Sequence, residues 1–176
     1  GYRFRCDDRA LVPRSLIAEP LTDGRFDEYA DPADGGRSGV HPGADAQRRR
    51  LLDLCTGGGS LAIIAAHRFP DVAVVASDLS AAALALAAQN VADHGLDGRV
   101  RLVRSDLYRT LGRERFDLIL CNPPYVNAAS MATLPAEYRA EPAAALDGGT
   151  DGMDLIARIL TGAPRHLRPG GVLVLE

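Results

Sequence analysis

The sequence predicts a doubly wound α/β fold on a parallel sheet, and three features carry that prediction. Short apolar runs alternate with helical stretches from Arg50 to Leu175, the order that builds a parallel sheet covered on both faces. A glycine turn, Gly57-Gly58-Gly59, lies between the first run and the first helical stretch. Acidic or amide residues recur where the runs end, at Asp78, Asp106 and Asn122. In an open parallel sheet those ends share one edge, and ligands bind there.

Taken in order, Tyr2 to Val12 alternates apolar and charged residues around Asp7-Asp8 and predicts a small hairpin. Pro13 ends it, and Ser15 is placed to cap a short helix from Leu16 to Leu21. Residues 1–21 thus form an N-terminal unit, with Arg14 read first as a surface charge. Residues 22–50 are rich in Gly, Asp, Pro and Ala and read as a flexible loop. The core, residues 51–176, opens with a strand from Arg50 to Cys55 and a helix from Ser60 to Phe69 that Pro70 stops. A second strand runs from Val72 to Ser77. Ser80 caps an Ala/Leu helix reaching about His94, with Gly95 as its C′ residue. Val100–Arg104 and Phe116–Cys121 are the third and fourth strands. A further helix opens at Asp151 or Gly152 and runs through Leu160, with Gly162 and Pro164 bending or breaking it before Leu167. Pro169-Gly170-Gly171 turns into a fifth strand, Val172 to Leu175. No internal repeat is visible.

Composition narrows the function classes. A chain of 176 residues with net charge −3 lacks the basic footprint of a nucleic-acid binder. All its Lys/Arg cations are Arg, and the densest run, Arg48-Arg49-Arg50, suits a solvated strand start or a phosphate contact equally. No stretch is long and apolar enough for a membrane span, and Gly1-Tyr2-Arg3-Phe4-Arg5 does not resemble a signal peptide. Cys6, Cys55 and Cys121 lack metal-ligand spacing and read as reduced, largely buried thiols of a cytoplasmic protein. His41, His67, His94 and His166 are scattered along the chain, and no metal is expected.

The most informative stretch is Leu120-Cys121-Asn122-Pro123-Pro124-Tyr125. Two prolines after a buried run remove two backbone donors and fix two φ angles, so the strand stops in a rigid, extended turn. The Asn122 side-chain oxygen and the Pro123 carbonyl can then accept both hydrogens of a planar NH2 group. Tyr125 can stack on the flat group. A plain strand-to-loop turn is the alternative, since Asn-Pro and Pro-Pro both mark turns.

The companion stretch is Asp53-Leu54-Cys55-Thr56-Gly57-Gly58-Gly59, where glycines let backbone approach a ligand closely. Asp78, about twenty residues on, can grip both hydroxyls of a ribose. The third glycine of a dinucleotide fingerprint is absent, with Ile63 and Ile64 in its place, which suits a nucleoside without phosphates. Ser105-Asp106-Leu107 supplies another carboxylate and an apolar flank for adenine. Asp53 could meet an amino or sulfonium cation. S-adenosylmethionine fits this set.

With these residues placed, the chain resembles the class I S-adenosylmethionine-dependent methyltransferases, and more narrowly the protein-(glutamine-N(5)) methyltransferases of the HemK/Prm type. Asp53 to Gly59, including Thr56, resembles the family's first motif, although Gly58 replaces the more usual Ser or Thr. Asp78 matches the ribose acid, Ser105-Asp106-Leu107 the adenine-side motif, and Asn122-Pro123-Pro124-Tyr125 the amide-binding signature. Val12-Pro13-Arg14-Ser15 with Ile17-Ala18-Glu19, and the stretch from Met131 to Pro142, resemble the branch acting on large-subunit ribosomal protein L-three. The resemblance implies a Rossmann-like fold, methyl transfer to a glutamine amide, and Pro13, Arg14 and Glu141 as walls of the substrate pocket. It also implies an additional N-terminal helical domain and seven strands. Relative to that pattern this chain looks like a fragment ending after the fifth strand; as an entire molecule it would leave that strand an exposed apolar edge. The alternatives are a release-factor glutamine methyltransferase, an adenine-N(6) nucleic-acid methyltransferase, and a cofactor-binding module without catalysis.

Overall fold

The computed structural model describes residues 1–30, 49–134 and 141–176. Five parallel strands form one sheet: β1 (Arg50–Leu54), β2 (Ala73–Asp78), β3 (Val100–Arg104), β4 (Phe116–Cys121) and β5 (Leu167–Leu175), in the order β3-β2-β1-β4-β5. The chain winds outward from β1 to β3, returns to β4, and winds outward again. The switch therefore lies between β1 and β4, where the register sets Leu54 beside Cys121.

Alternation along each strand divides the core in two. Leu51, Val74, Leu118 and Leu120 face α3 (Ser60–Arg68), the C-terminal half of α4 (Ala81–Asp93), and α1 (Ala18–Thr22) with α2 (Asp27–Ala30). Leu52, Leu54, Val75 and Ile119 face Tyr108, Leu111 and α6 (Asp154–His166). Strand β4 is buried throughout, as a central strand of a doubly wound sheet must be. A short α5 (Ala128–Met131) and a 3₁₀ turn (Ala143–Ala145) fill the connection from β4 to α6.

Most predicted elements form within a residue or two of their expected bounds. Ser80 caps α4, its hydroxyl accepting from the Ala83 N–H at 3.1 Å, and Gly95 follows at φ 66°. Four expectations need correction. Tyr2 to Val12 is no hairpin. It is an extended strap running antiparallel to α4: Ala10 packs with Ala83 and Leu86, Arg9 bonds Gln89, and Arg5 bonds Asn90 and Asp93. At its start Tyr2 stacks on His67, 5.4 Å between ring centres, and His94 bonds the Arg3 carbonyl at 2.8 Å. The alternation that suggested a strand instead feeds one face of a helix. The first helix starts at Ala18, and Ser15 makes a local turn to the Ile17 N–H rather than a cap. Helix α2 lies within the stretch expected to be loop, whose residues 31–48 fall outside the described ones. Finally, α6 runs unbroken through Pro164, because that proline is solvent-exposed and water can solvate the carbonyl it leaves unpaired. Strand β5 then starts at once, at Leu167, with an irregularity between Phe116 and Leu118 that absorbs Pro169-Gly170-Gly171.

Among the thiols, Cys6 is exposed, Cys55 half-buried and Cys121 buried. His67 and His94, distant in sequence, meet at 3.3 Å; His41 lies outside the described residues. No described helix is long and apolar enough to cross a membrane.

At the opposite edge from the strand ends, Asp117 is 6% exposed and accepts from Arg49 (3.1 Å), Arg168 (2.8 Å) and the Arg50 N–H (2.8 Å). Arg50 also pairs with Glu114. The arginine run is thus paired within the fold at Arg49 and Arg50, while Arg48 lies outside the described residues. Removing the buried carboxylate strands two cations and an amide, although both guanidiniums keep some solvent. Asp117→Ala should lose about 2 kcal/mol in urea unfolding at unchanged m, and Arg49→Ala clearly less.

Candidate active site at the strand ends

A cavity of about 520 Å³ opens at the carboxyl edge of β1, β2, β3 and β4. Of the residues expected at the site, Asp53, Thr56, Gly57, Gly58, Asp78, Asp106, Leu107, Asn122, Pro124, Pro13 and Arg14 line it. Gly59, Pro123, Tyr125 and Glu141 do not, and each has another place.

The glycine loop is held from three sides. Asp53, 1% exposed, accepts from Thr56 Oγ1 at 2.5 Å and from the Ala62 N–H at 3.0 Å through Oδ2. It therefore braces the loop onto the first turn of α3. Asp78 receives the Gly57 N–H at 2.9 Å and the Ser80 N–H at 2.8 Å, which points its carboxylate across the cavity edge. Asn90 on α4 donates to the Gly58 carbonyl at 2.8 Å. Gly59 precedes α3 at φ 86°, and a Cβ there would sit 3.1 Å from the Ala87 methyl, so both conformation and space require glycine. A Cβ at Gly58 would meet only ordinary contacts with Leu86 and Asn90, so the departure from Ser or Thr there is not forced by packing.

Burial pushes the Asp53 carboxyl up to about 7, against the bonds from Thr56 and Ala62 and aided by the charge of Asp78. Burial likewise raises Asp78, opposed by the N–H groups of Ser80, Gly57 and Leu79. The site is therefore poor in compensating cations near these two acids.

Asp106 Oδ1 accepts from the Arg158 guanidinium of α6 at 2.8 Å, and Leu107 beside it is held at φ 48° with 8% exposure. Arg158, which also lines the cavity, was invisible in the sequence because the pair spans 52 residues.

The Asn122 turn has its own support. Among the described residues no protein group bonds the Asn122 amide, which is half-buried at the cavity wall. Pro123 is buried beneath it, and Tyr125 is 51% exposed at the rim. Behind the turn, Val126 exchanges hydrogen bonds with Leu146 and Gly148, each at 2.8 Å. A Cβ on Gly152, at φ 79°, would lie 2.3 Å from the Tyr125 carbonyl oxygen. The run Asp147-Gly148-Gly149-Thr150-Asp151-Gly152 is thus the cradle of the turn. Its glycine density was the available signal.

Where the strap leaves the cavity, Arg14 pairs with Glu141 at 2.7 Å, the Glu141 side chain being 8% exposed. Glu141 Oε2 is buried without a hydrogen-bond partner among the described residues. The Ser15 hydroxyl donates to the Glu176 carboxylate, which also accepts the Leu16 N–H at 2.9 Å, tying this wall to the end of β5. Residues 135–140 of the stretch that resembled the ribosomal-protein branch lie outside the described ones.

Residues 41–138 match the family described as methyltransferase small domain. The chain belongs to that family. It is 52% identical to the ribosomal protein uL3 glutamine methyltransferase of Bradyrhizobium diazoefficiens, covering 100% of this chain and 53% of that protein. It is 51% identical to the protein of the same name from Bordetella pertussis, covering 100% and 55%. The chain therefore spans about half the length of these curated relatives. Among solved structures, TrmN from Thermus thermophilus aligns at 28% identity and TM-score 0.56, covering 90% of this chain and 36% of its own. A human methyltransferase 10 domain containing protein aligns at 16% and 0.58, covering 95% and 68%, a likeness of fold.

In this member of the methyltransferase small domain family the donor set fits S-adenosylmethionine. A carboxylate ends β2 at the cavity, an apolar shelf at Leu107 flanks it, and the Ser77 hydroxyl in the cavity wall is buried without a partner among the described residues.

The raised acid sets a pH dependence. The folded Asp53 carboxyl keeps its proton up to about pH 7, whereas an unfolded one loses it near pH ~4. The folded state binds more protons in that window, so this group's contribution to stability declines as pH rises through it. The urea midpoint of Asp53→Asn should accordingly fall less than that of the wild type between those limits; an unchanged slope would remove Asp53 as the cause.

Proposed function

We propose that this protein transfers a methyl group from S-adenosylmethionine to the side-chain amide nitrogen of a glutamine in ribosomal protein uL3. The observation that carries the reading is the unbonded Asn122 amide, fixed at the end of β4 beside a nucleoside-sized cavity. The relatives named uL3 glutamine methyltransferase support the substrate.

Bound S-adenosylmethionine supplies an electrophilic methyl group on a sulfonium. Asp78 would hold its ribose hydroxyls, Gly57 and Gly58 would let the backbone approach, and Leu107 and Asp106 would flank the adenine. The Asn122 oxygen and the Pro123 carbonyl would accept the two N–H groups of the glutamine, leaving the nitrogen lone pair facing the cavity. An amide lone pair is delocalised. These acceptors are strongest where the nitrogen gains positive charge, so they favour the transition state over the ground state. Transfer would exchange the S–CH3 bond for an N–CH3 bond, with one amide proton passing to solvent. The remaining contribution is alignment. Pro124 and Tyr125 would wall the amide, while Pro13 and Arg14 would form the outer wall, with Glu141 bracing Arg14 from behind. The soluble, cytoplasmic setting of ribosomal proteins agrees with a substrate of this kind.

The test is methyl transfer from labelled S-adenosylmethionine to unmethylated uL3 and to release factor in parallel, located by peptide mass spectrometry. Label on a uL3 glutamine amide is expected. Label on the release factor alone would overturn the substrate, and label on nucleic acid the class. In Asn122→Ala, cofactor binding should persist while transfer falls at least about a hundredfold; near-normal turnover would sink the amide-holding role.

A further inference from the structure

The strap from Tyr2 to Ser15 and the glycine loop meet at one buried side chain. Asn90 is 1% exposed in the middle of an Ala/Leu helix. Its amide donates to the Gly58 carbonyl at 2.8 Å and to the Arg5 carbonyl at 3.3 Å, and its oxygen accepts the Arg5 N–H at 2.7 Å. Every polar atom of the side chain is used, and all of it goes to backbone. Such a bond pattern fixes two chain segments relative to each other independently of their side chains.

What the strap carries makes this consequential. From Arg9 onward it forms one wall of the cavity, through Ala10, Val12, Pro13, Arg14 and Ser15. Ala10 is 3% exposed, and a Cβ on Gly57 would lie 3.8 Å from its methyl. The same strap ends at Ser15 and Leu16 on Glu176. The elements that would hold cofactor and those that would face the protein substrate thus share Asn90 as an internal tie. Ala10 adds a buried apolar contact with Ala83 and Leu86, which is not directional, while the Arg5–Asp93 pair is 60% and 43% exposed, and exposed pairs contribute little.

We propose that Asn90 is a positioning residue that couples the two halves of the site. Occupancy of the glycine loop fixes Gly58, Gly58 fixes Asn90, and Asn90 fixes the strap at Arg5, so the cofactor orders the substrate wall before the substrate arrives. The proposal rests on the cofactor reading above. By reciprocity, loosening the strap weakens cofactor binding.

Two substitutions separate the tie from the fold. Arg5→Pro removes the N–H that Asn90 accepts while leaving α4 and the Asn90–Gly58 bond intact; Arg5→Ala loses the Asp93 pair but keeps that N–H. Asn90→Asp removes the donor to Gly58 and is the harsher variant. In the intact protein, S-adenosylhomocysteine binding is read by calorimetry and amide exchange over residues 4–15 by mass spectrometry. In the wild type and Arg5→Ala the ligand should slow exchange over that strap. Arg5→Pro and Asn90→Asp should lose that slowing and bind the ligand about tenfold more weakly. The proposal is overturned if the wild type binds ligand with no change in strap exchange, or if Arg5→Pro binds and protects as the wild type does. Absence of binding to the wild type is a distinct result: the cofactor reading fails, and the coupling fails with it.

Discussion

The pairing of β1 with β4 is the constraint on which the site depends. Leu54 stands beside Cys121 in a parallel register, so both strands end at one level and on the same edge. The chain then leaves β1 through a glycine loop and leaves β4 through Asn122 and two prolines. Because β1 and β4 are where the winding reverses, their following segments diverge to opposite faces, and a crevice is left between them. A slip of one residue in this register would turn the core-facing side chains of β4 to the other face and carry Asn122 away from the cavity. The buried length of β4 on both faces makes that slip costly.

Around this crevice the protein has placed acids where water is scarce. Asp53 is held by Thr56 and the start of α3, and Asp78 by three backbone N–H groups. Hydrogen bonds alone do not offset the loss of water, so both carboxyls stay above their usual range. A cationic ligand would reverse that balance. Stability and binding thus oppose one another here: what the fold tolerates at a cost, a bound cation would use.

Much of this was legible in the sequence because it is local. The apolar run Phe116–Cys121, the Ser80 cap and the Gly95 stop each follow from neighbouring residues, and each forms as read. The spacing of Gly57 and Asp78 placed them at one edge, and a 2.9 Å bond now joins them. What escaped is non-local. The alternation of Tyr2 to Val12 is the same whether the partner is a second strand or one face of α4, and only the tertiary structure chooses. Asn90 carried no local signal within its Ala/Leu helix, because its partners Arg5 and Gly58 lie 85 and 32 residues away. Arg158 and Gly152 gained their meaning from Asp106 and Tyr125 in the same way. Pro164 misled for the opposite reason: a local rule against proline in helices was overridden by its exposed position.

The account turns on whether Asn122 and Pro123 grip an amide by both its hydrogens. The most direct measurement is a crystal structure of the intact protein with S-adenosylhomocysteine and a glutamine-containing uL3 peptide. The account predicts the glutamine nitrogen within hydrogen-bond distance of both the Asn122 oxygen and the Pro123 carbonyl, with the ligand sulfur opposite its lone pair. A glutamine seated elsewhere, or held at Asn122 with the sulfur out of line, would contradict it.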